Sequence, residues 1–336
     1  MNIFEKIEYA KQISLNRKSL DRQLIIDLLS IPLDSPAIDA LGKAAFEVAQ
    51  TITEKRAYLW GAMGVDFKAC PMNCDFCSLG KKWGLVEVER DFSEAEIIGN
   101  VRYYVENTVR WIVLRTTEFY SLDVLESHIQ TIRKEVQGTY EIGLNVGEFD
   151  VTKAHELSRR GVDFIYHSLR LGEGKDTRFQ KEDRIATLNA CKNSPLKLVF
   201  LVEPVGIEHT NEEIADICQM TIDFGAIVSG AMARVPVKGT PLGELPQISD
   251  QRLAQIIAVT RLACGYKVPG ICVHPASELA IQFGANVVVI ETGAIPRDAC
   301  CFPNEKWKQF DVNVAKQWFQ NNGYTVHQTE NDSTSM

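Results

Sequence analysis

Three cysteines fall within one short stretch, Cys70-Pro71-Met72-Asn73-Cys74-Asp75-Phe76-Cys77, and their spacing limits the chemistry they can do. A structural zinc ion takes four nitrogen or sulfur ligands, usually from paired clusters, yet the nearest other His or Cys in the chain is His128. A four-iron four-sulfur cubane also takes four ligands. With three protein thiolates, one iron is left open to an exchangeable small molecule. The pattern therefore favours an open cluster over a closed zinc site.

Stepping along the chain shows which elements must position this loop. Residues 1–56 carry helix-like apolar periodicity, as in Leu24, Ile25, Leu28 and Leu29, with Asp34-Ser35 as a turn and cap. From Tyr58 onward, short apolar runs at 57–63, 111–116, 140–146, 162–168, 197–203, 226–235, 267–273 and 286–291 alternate with helix-like stretches such as 94–107, 121–136, 152–160, 211–224 and 249–264. Eight strands separated by helices imply parallel crossovers, and the count predicts an α/β fold, a closed (β/α)8 TIM-type barrel with an N-terminal helical extension. A doubly wound open sheet is the alternative. The expected divisions are a helical cap over 1–56, the barrel over 57–300, and a C-terminal helix with a polar tail over 301–336. The cysteine loop follows the first strand, where barrel enzymes carry their active-site loops.

Composition removes several classes of function. A formal charge of −8 and a pI near 5.4, with no basic run, argue against nucleic-acid binding. The N-terminus mixes charged and apolar residues and lacks the apolar stretch of a signal peptide or membrane span, so no membrane association and a cytoplasmic location are expected. Nine cysteines, an odd number unevenly placed, suit metal ligation better than a disulfide framework.

The Cys-x-x-x-Cys-x-x-Cys loop, with Phe76 before the last cysteine, resembles the signature of the radical S-adenosylmethionine (SAM) superfamily. Over about residues 55–297 the resemblance is to the biotin synthase group, which also holds hydrogenase-maturing and methylornithine-forming enzymes. Asp163-Phe164-Ile165-Tyr166-His167-Ser168-Leu169-Arg170 is similar to that group's fourth-strand motif, and Pro236-Val237-Lys238-Gly239-Thr240-Pro241-Leu242 and Phe283-Gly284-Ala285-Asn286 match two further segments. The resemblance implies a 4Fe-4S cluster on Cys70, Cys74 and Cys77, SAM on its open iron, and an electron donor of the flavodoxin or ferredoxin class. An electron entering the cluster would cleave SAM to methionine and a 5′-deoxyadenosyl radical that takes hydrogen from the substrate. One departure is informative. Biotin synthase holds a second, sulfur-donating cluster on three inner-strand cysteines, and the residues aligned with them here, Val113, Gly143 and Phe200, cannot ligate iron.

The resemblance also nominates residues at the barrel mouth. Thr116-Thr117-Glu118 stands where the group has a Gly-Gly-Glu-like stretch, which implies that Glu118 accepts hydrogen bonds from the SAM ammonium. Phe76, Asn145, Ser168, Arg170 and Ile207 complete the expected cofactor contacts, Ile207 packing on adenine and Arg170 offering a bidentate fork to the SAM carboxylate or a substrate acid. Position at strand ends makes Glu148, His167, Glu203, Arg234 and His274 substrate candidates.

Cys191, Cys218 and Cys264 lie on helix candidates and read as buried apolar residues. Cys272, Cys300 and Cys301 follow the last two strands and are the candidate ligands of an auxiliary iron–sulfur cluster. Two reaction classes stay open on a small-molecule or carrier-bound acyl substrate. One is sulfur insertion using such a cluster; the other is a radical rearrangement or carbon–carbon cleavage without one. The non-enzyme alternative is a barrel scaffold that binds zinc.

Overall fold

The computed structural model describes residues 1–295 and 310–327. Its centre is an all-parallel sheet whose eight strands are β1 (Arg56–Gly64), β2 (Trp111–Arg115), β3 (Glu141–Asn145), β4 (Phe164–Tyr166), β5 (Lys197–Val199), β6 (Val228–Ala233), β7 (Gly270–His274) and β8 (Val287–Gly293). Each pairs with the next, and β1 pairs with β8 from Tyr58↔Val287 to Gly64↔Gly293, so the expected barrel is closed. β5 kinks after Val199 and resumes at Val202–Val205 along β6. Strands buried on both faces must be apolar throughout, which is why they read as continuous runs such as Val287-Val288-Val289-Ile290.

Alternate residues divide two cores. Trp60, Ala62, Trp111, Val113, Phe164, Tyr166, Val199, Leu201, Cys272 and Val289 pack together inside the barrel. Their neighbours Leu59, Met63, Ile112, Ile165, Leu198 and Ile271 pack outward against the helices. The alternation continues through the kink in β5, with Val199 and Leu201 inward and Phe200 outward, where its ring meets Phe224 at 6.4 Å. Phe200 therefore does not face the barrel axis, as its alignment with an inner-strand ligand would require.

The helical layer comprises α4 (Glu94–Glu106), α5 (Leu122–Glu135), α6 (Val151–Arg159), α7 (Lys181–Lys192), α8 (Asn211–Asp223), α9 (Asp250–Cys264) and the short α10 (Glu278–Gln282), preceded by α1 (Ile3–Leu15), α2 (Arg22–Leu29) and α3 (Ala37–Ile52). Reciprocal caps start several of them: Ser93 with Glu96 on α4, and Thr210 with Glu213 on α8. Every residue of α9 from Leu253 to Cys264 is buried, because α1 to α3 cover the side that does not face the barrel. Gln255, wholly buried, donates to the carbonyls of Leu28, Leu29 and Ile31, tying the N-terminal helices down. After the undescribed stretch, α11 (Val312–Asn321) leads to Thr325-Val326, which adds to the start of β1.

The segment Phe283-Gly284-Ala285-Asn286 proves to be a knot at the opposite end from the cysteine loop. Asn286 Oδ1 accepts from Arg261 Nη2 at 2.7 Å and from the Ile271 N–H at 2.8 Å, while Arg261 Nε donates to Gly284 O at 2.9 Å. Arg261 is fully buried, and these bonds join α9, β7 and β8.

Candidate active site

The cysteine loop is closed by its own backbone and braced from across the barrel. Cys70 N–H donates to Leu79 O at 2.6 Å, and Lys81 N–H donates to Cys70 O at 2.9 Å. Asn73 takes a left-handed conformation, φ +46°, and its Oδ1 accepts from Lys82 N–H. Trp83 Nε1 donates to Cys74 O at 3.2 Å. Asp75 N–H reaches Asp176 O at 2.8 Å in the loop after β4, and Leu242 N–H reaches Asp75 O at 2.9 Å from the loop after β6. The Pro236–Leu242 motif thus includes a prop for the cysteine loop.

Beneath the loop lies a cavity of about 170 Å³, lined by Phe76 and Cys77 above and by Arg115, Asn145, Tyr166, Arg170, Glu203 and Arg234 at the ends of β2 to β6. A larger groove of about 570 Å³ opens beside it, lined by Cys70, Asp66, Thr117 and Glu118. Asn145 Nδ2 donates to Tyr166 O at 2.9 Å, and Thr116 N–H donates to Asn145 O at 3.0 Å. Thr117 gives both its N–H and its hydroxyl to Asp66. Ser168 Oγ accepts from Leu201 N–H at 3.2 Å. Tyr166 donates to Glu203, whose pKa burial raises against the opposing effect of that bond.

Charge is concentrated along the rim. Arg184, on α7 and 2% exposed in its side chain, donates to Glu148 at 2.8 Å and to Ser168 O at 2.7 Å, and stands 3.4 Å from Glu173. Arg170 Nη1 stands 3.6 Å from Glu173; burial opposes its charge, but Glu173 and Cys74 outweigh that and its pKa is raised. Burial, with Glu148 nearby, lifts the Glu118 carboxyl to about 7. Arg115 donates to Glu291 at 2.7 Å, and His274 Nε2 lies 3.5 Å from the same carboxylate.

Several nominated residues sit apart from this cavity. His167 is 1% exposed and points away from the barrel axis, its Nε2 at 3.4 Å from Glu148. Glu148 is engaged by Arg184 and Thr187 on the helix side. Ile207 is 53% exposed and does not line the cavity. Arg234 does line it, but its guanidinium is paired with Glu208, Nη2 to Oε2 at 2.9 Å. Cys272 is wholly buried and faces the barrel interior, whereas Cys300 and Cys301 lie outside the described residues.

No family model matches the chain. It does have curated relatives: biotin synthase of Acaryochloris marina is 26% identical over 268 residues, covering 75% of this chain and 72% of the relative, and biotin synthase of Halalkalibacterium halodurans is 22% identical, covering 84% and 82%. By these relatives the chain is similar to the biotin synthase-like group of radical SAM enzymes. Solved structures share its fold. Methylornithine synthase PylB superposes with a TM-score of 0.78 over 95% of this chain and 98% of that one at 16% identity, and the FeFe-hydrogenase maturase HydG from Carboxydothermus hydrogenoformans with 0.74 over 96% and 79% at 15% identity.

The donor set of this radical SAM enzyme fits a 4Fe-4S cluster with SAM. Cys70, Cys74 and Cys77 are free thiols on one loop, two of them lining the adjoining cavities, and a cubane would bond each to a different iron. Burial pushes the Cys74 thiol up to about 12 and raises Cys70 as well, so cluster binding must displace their protons. Arg170 beside Cys74 opposes that rise, and its Nη1 is buried without a hydrogen-bond partner, a donor available to an anionic group. Asp176, Glu208 and His209 do bring ligand atoms together, but His209 Nδ1 accepts from Gly206 N–H at 2.9 Å, which leaves the proton on Nε2 and removes it as a metal ligand.

Sequence reasoning missed Arg184, Tyr166 and Asp66. Arg184 sits in a helix of mixed polarity, where a charged residue reads as surface. Tyr166 lies within the fourth-strand motif, where nothing in an apolar run tells inward from outward residues.

Proposed function

We propose that this enzyme reductively cleaves SAM at a single 4Fe-4S cluster and abstracts hydrogen from a small molecule, leading to rearrangement or carbon–carbon cleavage rather than sulfur insertion. The observation that carries this reading is the filled barrel. Where a second cluster would need inner-strand thiolates, the interior holds Trp60, Trp111, Val113, Phe164 and Tyr166, and a Cβ at Gly143 would overlap the Phe164 ring. A bound cluster with SAM supplies a 5′-deoxyadenosyl radical. The chain's own residues do the rest: Cys70, Cys74 and Cys77 hold iron, Glu118 is placed to accept from the SAM ammonium, and Arg170 to meet a carboxylate. Tyr166 and Glu203 form the cavity floor, and the small volume beneath the loop favours a compact substrate over a bulky one.

The test is anaerobic reconstitution with iron, sulfide, SAM and reductant. About four irons per chain with formation of 5′-deoxyadenosine support the reading; about eight irons would return sulfur insertion, with the inward-facing Cys272 as one ligand. A colourless, zinc-loaded protein would replace both readings with a scaffold.

A further inference from the structure

Tyr166 and Cys272 sit within the hydrophobic cluster that fills the barrel. Tyr166 is 9% exposed, its ring edge-on to Trp60 at 4.9 Å, and its hydroxyl ends on Glu203, itself 5% exposed. A buried phenol needs only one acceptor, and a carbonyl would serve. Glu203 is a more polar partner than that: besides Tyr166 it meets the Ser168 hydroxyl and the charges of Arg170 and Arg184, while burial favours its protonated form. The phenol and its acidic partner both line the cavity next to Phe76 and Cys77 of the cysteine loop, where a substrate radical would form.

We propose that Tyr166 donates the hydrogen atom that quenches the substrate-derived radical, and that Glu203 returns the proton that restores it. The inference rests on the radical reading above. In the first step the Tyr166 O–H bond breaks homolytically and a C–H bond forms on the substrate, leaving a phenoxyl radical. A phenolic O–H bond is weaker than an aliphatic C–H bond, so the step runs downhill. In the second step one electron, from the same class of low-potential one-electron donor that the cluster needs, and one proton from the Glu203 carboxyl re-form the phenol. Glu203 then regains its proton from solvent through the cavity. Burial makes Glu203 hold that proton more tightly than an exposed carboxyl does. The hydrogen lost to 5′-deoxyadenosine is thereby replaced by one from water, and SAM is consumed in each turnover.

The experiment uses the reconstituted full chain with SAM and dithionite in D2O, without added substrate, so that the 5′-deoxyadenosyl radical itself meets the donor. The expected result is deuterium in the 5′-deoxyadenosine from the wild type and loss of that label in Tyr166→Phe. Label retained at the wild-type level in Tyr166→Phe overturns the proposal, as does its loss in Cys272→Ser alone, which would make the thiol the donor. Should Tyr166→Phe fail to bind SAM, the wild type decides. Frozen samples grown with ring-deuterated tyrosine should show a phenoxyl radical with a narrowed electron paramagnetic resonance signal, and its absence overturns the proposal. Wild-type protein that forms no 5′-deoxyadenosine removes the radical reading itself, an outcome distinct from label without Tyr166 dependence.

Discussion

Leu242 donates its backbone N–H to the carbonyl of Asp75 at 2.9 Å, so the loop after β6 holds the middle of the cysteine loop from the far side of the mouth. Ligand geometry is therefore shared between segments distant in sequence. Substituting Leu242 by Pro removes this donor without touching a thiol, and it should lower iron retention after reconstitution and gel filtration while leaving the far-ultraviolet circular dichroism intact. Full iron retention would show that the loop holds its shape unaided.

Replacing any one of Cys70, Cys74 or Cys77 by Ala leaves two thiolates, too few for a stable cubane. Each variant is expected to lose the brown absorbance and 5′-deoxyadenosine formation. Normal SAM cleavage in any of the three would sink the cluster assignment.

Glu118 borders the groove that contains Cys70, and the proposed function assigns its carboxylate to the SAM ammonium. Glu118→Gln is expected to weaken SAM binding by about 1.5–3 kcal/mol, the range for hydrogen bonds to a charged group, with iron content unchanged. Equilibrium dialysis with labelled SAM reads this directly, and an unaltered affinity would make Glu118 structural.

His167 gives a pH signature. Burial, then the charges of Arg184 and Arg170, lower its pKa well below 6.5, so the folded chain keeps it neutral while the unfolded chain takes up a proton as pH falls past 6.5. Below that pH the unfolded state binds more protons, and the stabilising contribution of His167 declines. Glu118, with its raised pKa, acts in the opposite sense, so the readout is a difference between proteins. His167→Gln should lie below the wild type in urea midpoint at pH 8, with a gap that narrows toward pH 5.5. A gap independent of pH would contradict the assignment.

Asn286 offers a test remote from the mouth. Asn286→Leu leaves Arg261, fully buried, and the Ile271 N–H each without an acceptor, and is expected to cost about 2–4 kcal/mol, several degrees in melting temperature. Gln in its place should recover little, because the longer side chain has no room in a wholly buried site.

Much of the barrel was legible because parallel strands must be apolar on both faces, and runs such as 111–116 and 286–291 announce themselves against charged helices. The same property hid the site. In a run apolar on both faces, Tyr166 and His167 look equivalent, yet one faces the barrel axis and the other the helices. Phe200 faces outward between the inward Val199 and Leu201, a phase that the apolar run itself does not reveal. The cysteine loop was readable because its chemistry is local. Its braces were not, because Asp176 and Leu242 act through backbone atoms, whose identity no side chain records.

The closure of β1 onto β8 also sets an order of events during synthesis. β1 emerges early from the ribosome, but its partner strand ends at Gly293, so the first strand waits with one edge open until nearly the whole chain has been translated. The cysteine loop hangs from that strand, and its support from Leu242 is made late as well. Iron–sulfur delivery therefore belongs after translation, and a nascent chain stalled before residue 287 should present its three thiols to solvent as ordinary reactive cysteines.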